Sequence, residues 1–247
     1  MLASRSTASC LLFLLAMLAW GGEPCPAALT VLYDGQSELL PGDQEWLSYF
    51  GVGVGVSQQR EQGGVLLESS LTGQAGYSSH TILGQPKNSA FPVLDRYAGF
   101  SLQFELQIRS ENHISADRSG CSLILLDREH RGVELSFWET EIWSQDDDPL
   151  FRHGEGTIID TTENVRYTLR IKGEEYTLSA AGSVILRGKL RDYSSAGSVP
   201  YTLDSYVFIG DDSTRGQASI VLKEIVLQDG LFSWNLLNPV LLRSEDR

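Results

Sequence analysis

Apolar and polar residues alternate along this chain in short stretches and do not follow a helical period. The clearest stretch is Phe100–Arg109, in which apolar and polar positions alternate without exception, as is typical of a strand with one buried face. The nearest approach to a helix is the short polar piece from Gln44 to Tyr49. Similar short runs, bounded by Gly, Asn, Asp or Ser, predict further strands at Gly64–Ser69, Ser122–Leu126, Val133–Trp138, Arg166–Ile171, Tyr176–Ala180, Val184–Leu186, Tyr206–Ile209 and Ser219–Leu227.

The connections in the C-terminal half predict antiparallel pairing. Lys172–Glu174 joins two of the predicted strands and Ala181–Ser183 joins the next two, which indicates two tight hairpins in succession. In the last strand the apolar phase shifts at Lys223 and Glu224, and such a shift predicts a β-bulge. Many short strands separated by turns favour an all-β antiparallel sandwich or barrel.

Several sequence blocks occur in an order that resembles a known family. These blocks are Asp117–Gly156, two YTL strands, LRGKLRDY and YVFIGDD, and together they span roughly Val31 to Gln228. They are similar to the choice-of-anchor Y family of exported bacterial proteins, which is frequent in cyanobacteria. The resemblance implies an antiparallel two-sheet jelly-roll sandwich of the concanavalin-A-like or laminin-G-like type, and it implies no known activity.

The two ends of the chain predict export. An apolar run, Cys10–Trp20, follows Arg5 and is too short for a transmembrane helix, but it has the length of a signal-peptide core. Small residues fit cleavage after Gly21 or after Ala27, and the later site is preferred because strand-like sequence begins at Leu29. We therefore predict a signal peptide over 1–27, a sandwich domain over 28–230 and a tail over 231–247. The protein is expected in the extracellular space, periplasm or cell envelope.

The tail differs from the sorting tail that members of this family often carry. Its apolar stretch, Leu231–Leu242, is interrupted by Asn and Pro and is too short to span a bilayer. No transmembrane segment is therefore predicted in the exported chain.

Charge and cysteine content narrow the possible partners. The chain has 19 basic and 32 acidic residues, a formal net charge of −13, which repels phosphate backbones and makes nucleic acid an improbable partner. Cleavage after Ala27 leaves Cys121 as the only cysteine, so no intramolecular disulfide is expected. We interpret Cys121, which lies in an apolar run, as a small buried residue.

Catalytic carboxylates are the first chemistry to consider, because sandwiches of this type include laminarinase-like hydrolases. Those enzymes place acidic residues at alternate positions of one strand, and the nearest candidates are Glu134, Glu139 and Glu141. The third carboxylate of the pattern is missing, since Phe137 and Trp143 occupy the flanking positions. We therefore expect no catalysis, and a divergent polysaccharide hydrolase or lyase is the alternative.

The same stretch supplies groups that bind sugars. Trp138 and Trp143 have ring faces that can stack on sugar rings, and Glu139 and Glu141 can accept hydroxyl hydrogen bonds. We predict that these four residues bind ligand, although packing of one or both tryptophans in the core is the competing interpretation. The favoured function is recognition of an extracellular or envelope polysaccharide, with a structural matrix protein as a further alternative.

Calcium is the only cofactor that the sequence suggests. Asp211 and Asp212 end a predicted strand, and the run Asp146–Asp148 precedes a proline. Oxygen-rich loops suit Ca²⁺, so Asp211 and Asp212 are weak calcium candidates, whereas Asp146–Asp148 is interpreted as a solvated turn. The four histidines are dispersed without zinc-ligand spacing. The alternation of Gly51, Gly53 and Gly55 with Val predicts a strand that another backbone approaches closely.

Overall fold

The computed structural model of the protein describes residues 28–230. The predicted signal peptide and C-terminal tail lie outside these residues. Short 3₁₀ turns occupy Gly35–Ser37, Pro41–Asp43 and Tyr193–Ala196. No helix in the described part of the chain combines the length and apolarity that crossing a membrane requires.

The first sheet contains eight antiparallel strands and is built around the two longest of them. Its order is β13, β12, β11, β6, β16, β4, β3. β4 and β1 pair with the same edge of β16, β4 with its first half and β1 with its second half. The strands are β1 (Ala28–Asp34), β3 (Ser57–Glu61), β4 (Gly64–Glu68), β6 (Phe100–His113), β11 (Val165–Lys172), β12 (Glu175–Ala180), β13 (Ser183–Lys189) and β16 (Gly216–Asp229).

The second sheet also contains eight antiparallel strands. Its order is β10, β9, β8, β7, β15, β5, β2, with the short β14 pairing to the start of β8. The strands are β2 (Ser48–Gly53), β5 (Gly73–Ser78), β7 (Ser122–Leu126), β8 (Arg131–Phe137), β9 (Glu141–Asp147), β10 (Leu150–Ile158), β14 (Arg191–Asp192) and β15 (Tyr206–Gly210). The two sheets form an antiparallel jelly-roll sandwich, as the sequence predicts.

The strongest sequence patterns are confirmed in detail. Phe100–Arg109 lies within β6, and its apolar residues are buried while its polar residues are more exposed. The two predicted hairpins join β11 to β12 and β12 to β13. The predicted bulge in β16 is present as a register shift between Leu222 and Glu224 against β6.

The region from Gln44 to Gly55 differs from one expectation and confirms another. Gln44–Tyr49 is not helical but forms a turn and the beginning of β2. The Gln44 side chain fixes this turn, because its Oε1 accepts from Asp34 N and its Nε2 donates to Asp34 O. Gly53 has a positive φ of 99°, and a Cβ on it would lie 2.2 Å from the Thr72 carbonyl oxygen. This glycine is therefore required by the close backbone approach that the Gly-Val alternation predicts.

Apolar side chains from both sheets fill the space between them. Phe104 of β6, for example, makes ring contacts with Phe137 of the second sheet and with Tyr167 of the first. Cys121 is fully buried in this core, as predicted, and burial raises its pKa well above the ordinary thiol value. A smaller apolar cluster lies on the outer face of the second sheet, the face turned away from the first sheet.

Candidate binding site on the outer face of the second sheet

The outer face of the second sheet is covered in part by a loop. In β7, Leu123 and Leu125 belong to the core, whereas Ile124 and Leu126 point to the outer face. They pack there against rings from the segment 193–205, which we call the covering loop, and against β15. This loop explains why β7 is buried on both faces and shows no alternation in its sequence.

The covering loop is tethered to the sheet mainly through side chains. Its internal backbone bonds join Gly197 N to Ser194 O, Tyr201 N to Ser198 O and Leu203 N to Pro200 O. The Tyr193 hydroxyl donates to the Gln145 carbonyl over 2.6 Å and accepts from the Glu134 amide over 3.1 Å. Two tyrosine side chains, Tyr193 and Tyr201, therefore hold the loop on the strands beneath it.

Beneath Tyr201 lies a pair of carboxyl groups from two strands. The Tyr201 hydroxyl oxygen is 2.6 Å from Glu134 Oε2 and 3.2 Å from Asp212 Oδ2. Glu134 belongs to β8 and Asp212 follows the end of β15, with β7 lying between these strands. The fold thus brings together two acidic side chains that are far apart in sequence.

Burial controls the ionisation of this pair. Burial, with a smaller contribution from the Asp212 charge, raises the pKa of Glu134 to about 8. Burial also raises the pKa of Asp212, although Arg118, Tyr201 and Ser122 lower it in part. Burial thus favours a proton on this pair, and a protonated carboxyl group beside a carboxylate can both donate and accept hydrogen bonds.

Two buried acceptor atoms at this face lack a hydrogen-bond partner. They are Oε1 of Glu134 and Oε1 of Gln145, and neither residue is more than 1% exposed. The register of β8 against β9 pairs Leu135 with Ser144, which places Glu134 opposite Gln145 on the same face. Such orphaned acceptors are uncommon in buried positions and carry a desolvation cost.

An open groove runs beside the carboxyl pair. It has a volume of about 420 Å³ and lies over β2, β5 and β15. The rings of Phe50, Tyr206 and Phe208 and the polar groups of Ser78, Gln74 and Asp212 line it. A groove with aromatic walls and a few polar groups has the composition of a small-molecule or sugar site.

A second cavity lies on the other side of Asp212. Its volume is about 340 Å³, and Arg118, Phe151, Tyr201 and Arg215 are among its lining residues. It shares Gln74, Val199, Pro200 and Asp212 with the groove. Val199 and Pro200 of the covering loop therefore border both spaces, together with Gln74 and Asp212.

The ligand-binding residues predicted from sequence lie together, but outside the groove. Trp138 is partly buried and Trp143 is fully buried, and their ring centroids are 5.6 Å apart. His113 stacks on Trp138 at 4.1 Å, and His153 stacks on Trp143 at 4.0 Å. Trp143 therefore has no exposed ring face for a sugar.

The two predicted glutamates bond to neighbouring strands. The Glu139 carboxylate accepts from the Glu111 amide over 3.0 Å. Glu141 Oε1 lies 3.1 Å from His153 Nε2. Both carboxylates thus stabilise the turn between β8 and β9 and its surroundings, and ligand binding by these four residues remains a prediction.

The two calcium candidates point in opposite directions. Asp211 is buried on the core side, where its carboxylate accepts from the Ser213 amide, whereas Asp212 faces the groove and Tyr201. A calcium ion held by both side chains does not fit this geometry, and binding at either one alone remains a prediction. Among residues 28–230, no group of three or more His, Cys, Asp or Glu side chains is arranged to hold a metal ion.

The acidic run Asp146–Asp148 is not a simple solvated turn. Asp146 bonds to Arg191 over 2.9 Å, and Asp147 accepts from the Asp192 amide over 2.7 Å. Arg191 also pairs with Glu155. These contacts fix the chain just before the covering loop begins.

The sequence contains one signal for the carboxyl pair. Glu134 is the single charged residue in the strand segment Val133–Phe137, which has three large apolar residues and one serine, and this position predicts a buried carboxyl group. Tyr201 and its loop give no comparable signal, because nothing in the local pattern shows which face the loop covers. Their role depends on contacts between residues distant in sequence.

Comparison with known proteins identifies the fold. Neither a family model nor a curated protein matches the sequence. Among solved structures, the chain is similar to a carbohydrate esterase from the Shiga toxin-encoding bacteriophage phi24B, with a TM-score of 0.55 and 9% identity over 83% of this chain and 100% of that one. This similarity supports the sandwich fold and not a shared activity.

Two weaker similarities are of the same general kind. A transglycosylase in complex with NAG has a TM-score of 0.46 and 12% identity, covering 84% of this chain and 88% of that chain. A carbohydrate-binding module from Bacillus subtilis has a TM-score of 0.40 and 10% identity, covering 72% and 95%. The two antiparallel sheets of the chain and its similarity to the phage esterase show a jelly-roll β-sandwich.

Proposed function

We propose that this protein recognises a neutral polysaccharide in the groove on the outer face of its second sheet. The observation that carries the proposal is the open groove of about 420 Å³, in which aromatic rings and hydrogen-bonding groups occur side by side. Sugars present apolar C–H faces, which stack on aromatic rings, and ring hydroxyls, which bind polar side chains, and the groove offers both kinds of partner. The carbohydrate-related proteins that share the fold are consistent with this function.

Charge favours a neutral ligand over an acidic one. The chain carries a formal charge of −13, and Asp212 lines the groove next to Glu134. A uronate or sulfated glycan would bring further negative charge toward these carboxyl groups and toward an acidic surface. A neutral glycan can instead donate its hydroxyl hydrogens to them.

Retention on immobilised neutral polysaccharides tests the groove. Phe50→Ala removes a partly buried ring from the groove wall and is expected to weaken binding about tenfold, which corresponds to about 1.4 kcal/mol. Ile158→Ala is the matched control, because Ile158 is 80% exposed on β10 at the opposite edge of the same sheet. Equal binding by both variants, or no binding of any glycan by the wild type, would refute the groove as the site.

A hydrolase is the second candidate function, and the carboxyl pair favours it. The raised pKa of Glu134 suits this group to protonate a glycosidic oxygen, and the neighbouring Asp212 would act as base or nucleophile in its carboxylate form, which Arg118 and Tyr201 favour against burial. Two carboxylate oxygens bound to one tyrosine hydroxyl lie no farther apart than the sum of 2.6 and 3.2 Å. This upper limit is below the separation of about 6.5 to 9.5 Å found in inverting glycosidases and is compatible with the about 5 to 5.5 Å of retaining ones.

Reducing-sugar release from a panel of polysaccharides separates the two candidates. A hydrolase would release sugar, and Glu134→Gln would abolish release while the fold and glycan binding remain. A purely binding protein would release none under conditions in which it is retained on the same polysaccharide.

We also propose that the protein is exported, with the segment 1–27 as signal peptide. The apolar run Cys10–Trp20 supports this proposal. Secreted material is expected to begin between Gly22 and Leu29, as measured by N-terminal sequencing. Intact Met1 in an integral membrane fraction would contradict export.

A further inference from the structure

We propose that the glycan site continues beneath the covering loop, and that Tyr201 occupies the place of one sugar residue in the unliganded protein. This inference rests on the proposed recognition of a neutral polysaccharide and extends it to a second subsite. Tyr201 presents a six-membered ring and one hydroxyl group, and that hydroxyl contacts both Glu134 and Asp212. A sugar residue would offer the same two carboxyl groups a ring of similar size with several hydroxyl groups.

The two cavities support a continuous cleft. The groove of about 420 Å³ and the second cavity of about 340 Å³ both reach Gln74, Val199, Pro200 and Asp212. Of these four residues, Val199 and Pro200 belong to the covering loop, and Tyr201 beside them lines the second cavity. Displacement of the loop would widen the passage between the two spaces and would uncover Glu134, which the Tyr201 hydroxyl now contacts.

The polar groups under the loop are not fully paired by the loop itself. Oε1 of Glu134, the residue that Tyr201 contacts, is a buried acceptor without a partner. Oε1 of Gln145 is a second such acceptor on the adjacent strand, where the Gln145 Nε2 group donates to Ser136 and Asp117. Tyr201 and the neighbouring Ser122 each have a single hydroxyl hydrogen to share between the Glu134 and Asp212 carboxyl groups, and these two hydrogens cannot satisfy all four carboxyl oxygens. A sugar residue with several hydroxyl groups can, so exchange of Tyr201 for a glycan gains hydrogen bonds at this position.

The middle of the covering loop, from Ser194 to Leu203, can move without breaking backbone bonds of the sheet, whereas its end is fixed by the bond from Ser205 N to Asp127 O. Its backbone bonds between Ser194 and Leu203 are internal, and the ladders of β8 with β7 and β9 do not involve it. Its tethers include the hydroxyl contacts of Tyr193 and Tyr201. The contact that a ligand would replace is therefore itself one of the tethers that close the site.

Oligosaccharide length provides the test. Cello-, laminari-, xylo- and manno-oligosaccharides of about two to six units are titrated into the wild type, Tyr201→Ala, Tyr201→Phe and the double variant Tyr201→Ala/Glu134→Gln. We expect the affinity of the wild type to rise little beyond the length that fills the groove. In Tyr201→Ala the longest oligomers should bind about tenfold more tightly than to the wild type, while the shortest oligomers bind equally.

The two other variants separate an emptied subsite from a loosened loop. Tyr201→Phe keeps the ring in place and is expected to retain the length dependence of the wild type. The double variant should lose most of the gain, because the Glu134 carboxyl group that receives the sugar hydroxyl is changed. An equal gain in Tyr201→Phe, or a gain that persists in the double variant, would overturn the proposal.

The wild type gives an independent test that does not depend on the folding of any variant. Saturation with a long oligomer should increase amide hydrogen exchange in residues 194–204, whereas a disaccharide should leave it unchanged. Unchanged exchange with a bound long oligomer would refute loop displacement, but it would leave the groove as a glycan site. Failure of the wild type to bind any member of the panel would overturn both the second subsite and the proposed function.

Discussion

At the scale of single residues, the buried carboxyl groups predict how stability depends on pH. The pKa of Glu134 is raised to about 8, whereas an exposed glutamate titrates near 4.5, so the unfolded chain ionises first as pH rises. The free energy of unfolding should therefore decrease between about pH 4.5 and pH 8, with a slope of at most about 1.4 kcal/mol per pH unit from this group. Urea unfolding at several pH values measures it.

Glu134→Gln should remove the contribution of Glu134 to this slope. Asp211, whose pKa burial also raises to about 8, supplies a second contribution of the same sign. Asp211→Asn is thus the companion variant, and the double variant should have the flattest profile. A Glu134→Gln protein with the slope of the wild type would contradict the burial effect.

Cys121 makes a second prediction at the same scale. The thiol is fully buried among core residues, so Cys121→Ser places a hydroxyl where an apolar group packs and should cost about 1 to 3 kcal/mol of unfolding free energy. Denaturant unfolding measures the loss. Alkylation with iodoacetamide, followed by mass spectrometry of the peptide that contains Cys121, provides a separate check. This thiol should react only after denaturation, and rapid labelling in the native protein would contradict its burial.

At the scale of secondary-structure elements, the strands that face water are the ones a sequence predicts well. β6, β11 and β12 each have one buried and one more exposed face, and their alternation is readable. β9 and β10 were not predicted because polar residues interrupt their apolar alternation. Gln145 is buried, and the partly buried Glu155 pairs with Arg191. Their environment is set by the covering loop and by Arg191, which no local pattern reveals.

The residues of the candidate sites also differ in whether the sequence alone can bring them together. Trp138, Glu139, Glu141 and Trp143 are near one another in sequence and are also neighbours in the structure. The groove and the carboxyl pair instead combine β2, β5, β8 and β15 with a loop, and only the topology brings these together. Sequence reasoning therefore found groups that are close along the chain, whereas the groove could be found only from the order of the strands in the sheet.

The glycine at the end of β2 provides a prediction for this element. Gly53→Ala places a methyl group 2.2 Å from the Thr72 carbonyl oxygen at a positive φ, and it should destabilise through both strain and collision. Gly182→Ala is the matched control, because Gly182 also has a positive φ but has nothing within 4 Å. We expect about 1 to 2 kcal/mol for the control and a larger loss for Gly53→Ala in urea unfolding. Equal losses would show that the close approach is unimportant.

At the scale of the whole molecule, net charge and specific ion binding can be separated. A calcium ion bound only to the folded state would stabilise it by about 2.7 kcal/mol at a hundredfold excess over Kd, a rise in Tm of several degrees. Because Asp211 and Asp212 lie on opposite faces, we expect Ca²⁺ and Mg²⁺ to raise Tm equally by screening the charge of −13. A larger rise with calcium, lost in Asp212→Asn, would reveal a specific site.

The self-contained backbone of the covering loop has a consequence for how this protein can diversify. A segment that takes no backbone hydrogen bonds from the sheet between Ser194 and Leu203 can change in length and sequence while the sandwich beneath it stays intact. Its side chains form one wall of each cavity, so every exchange of the loop alters the shape that a ligand meets. Selection, natural or in the laboratory, can therefore act on specificity here much as it does on the hypervariable loops of an antibody.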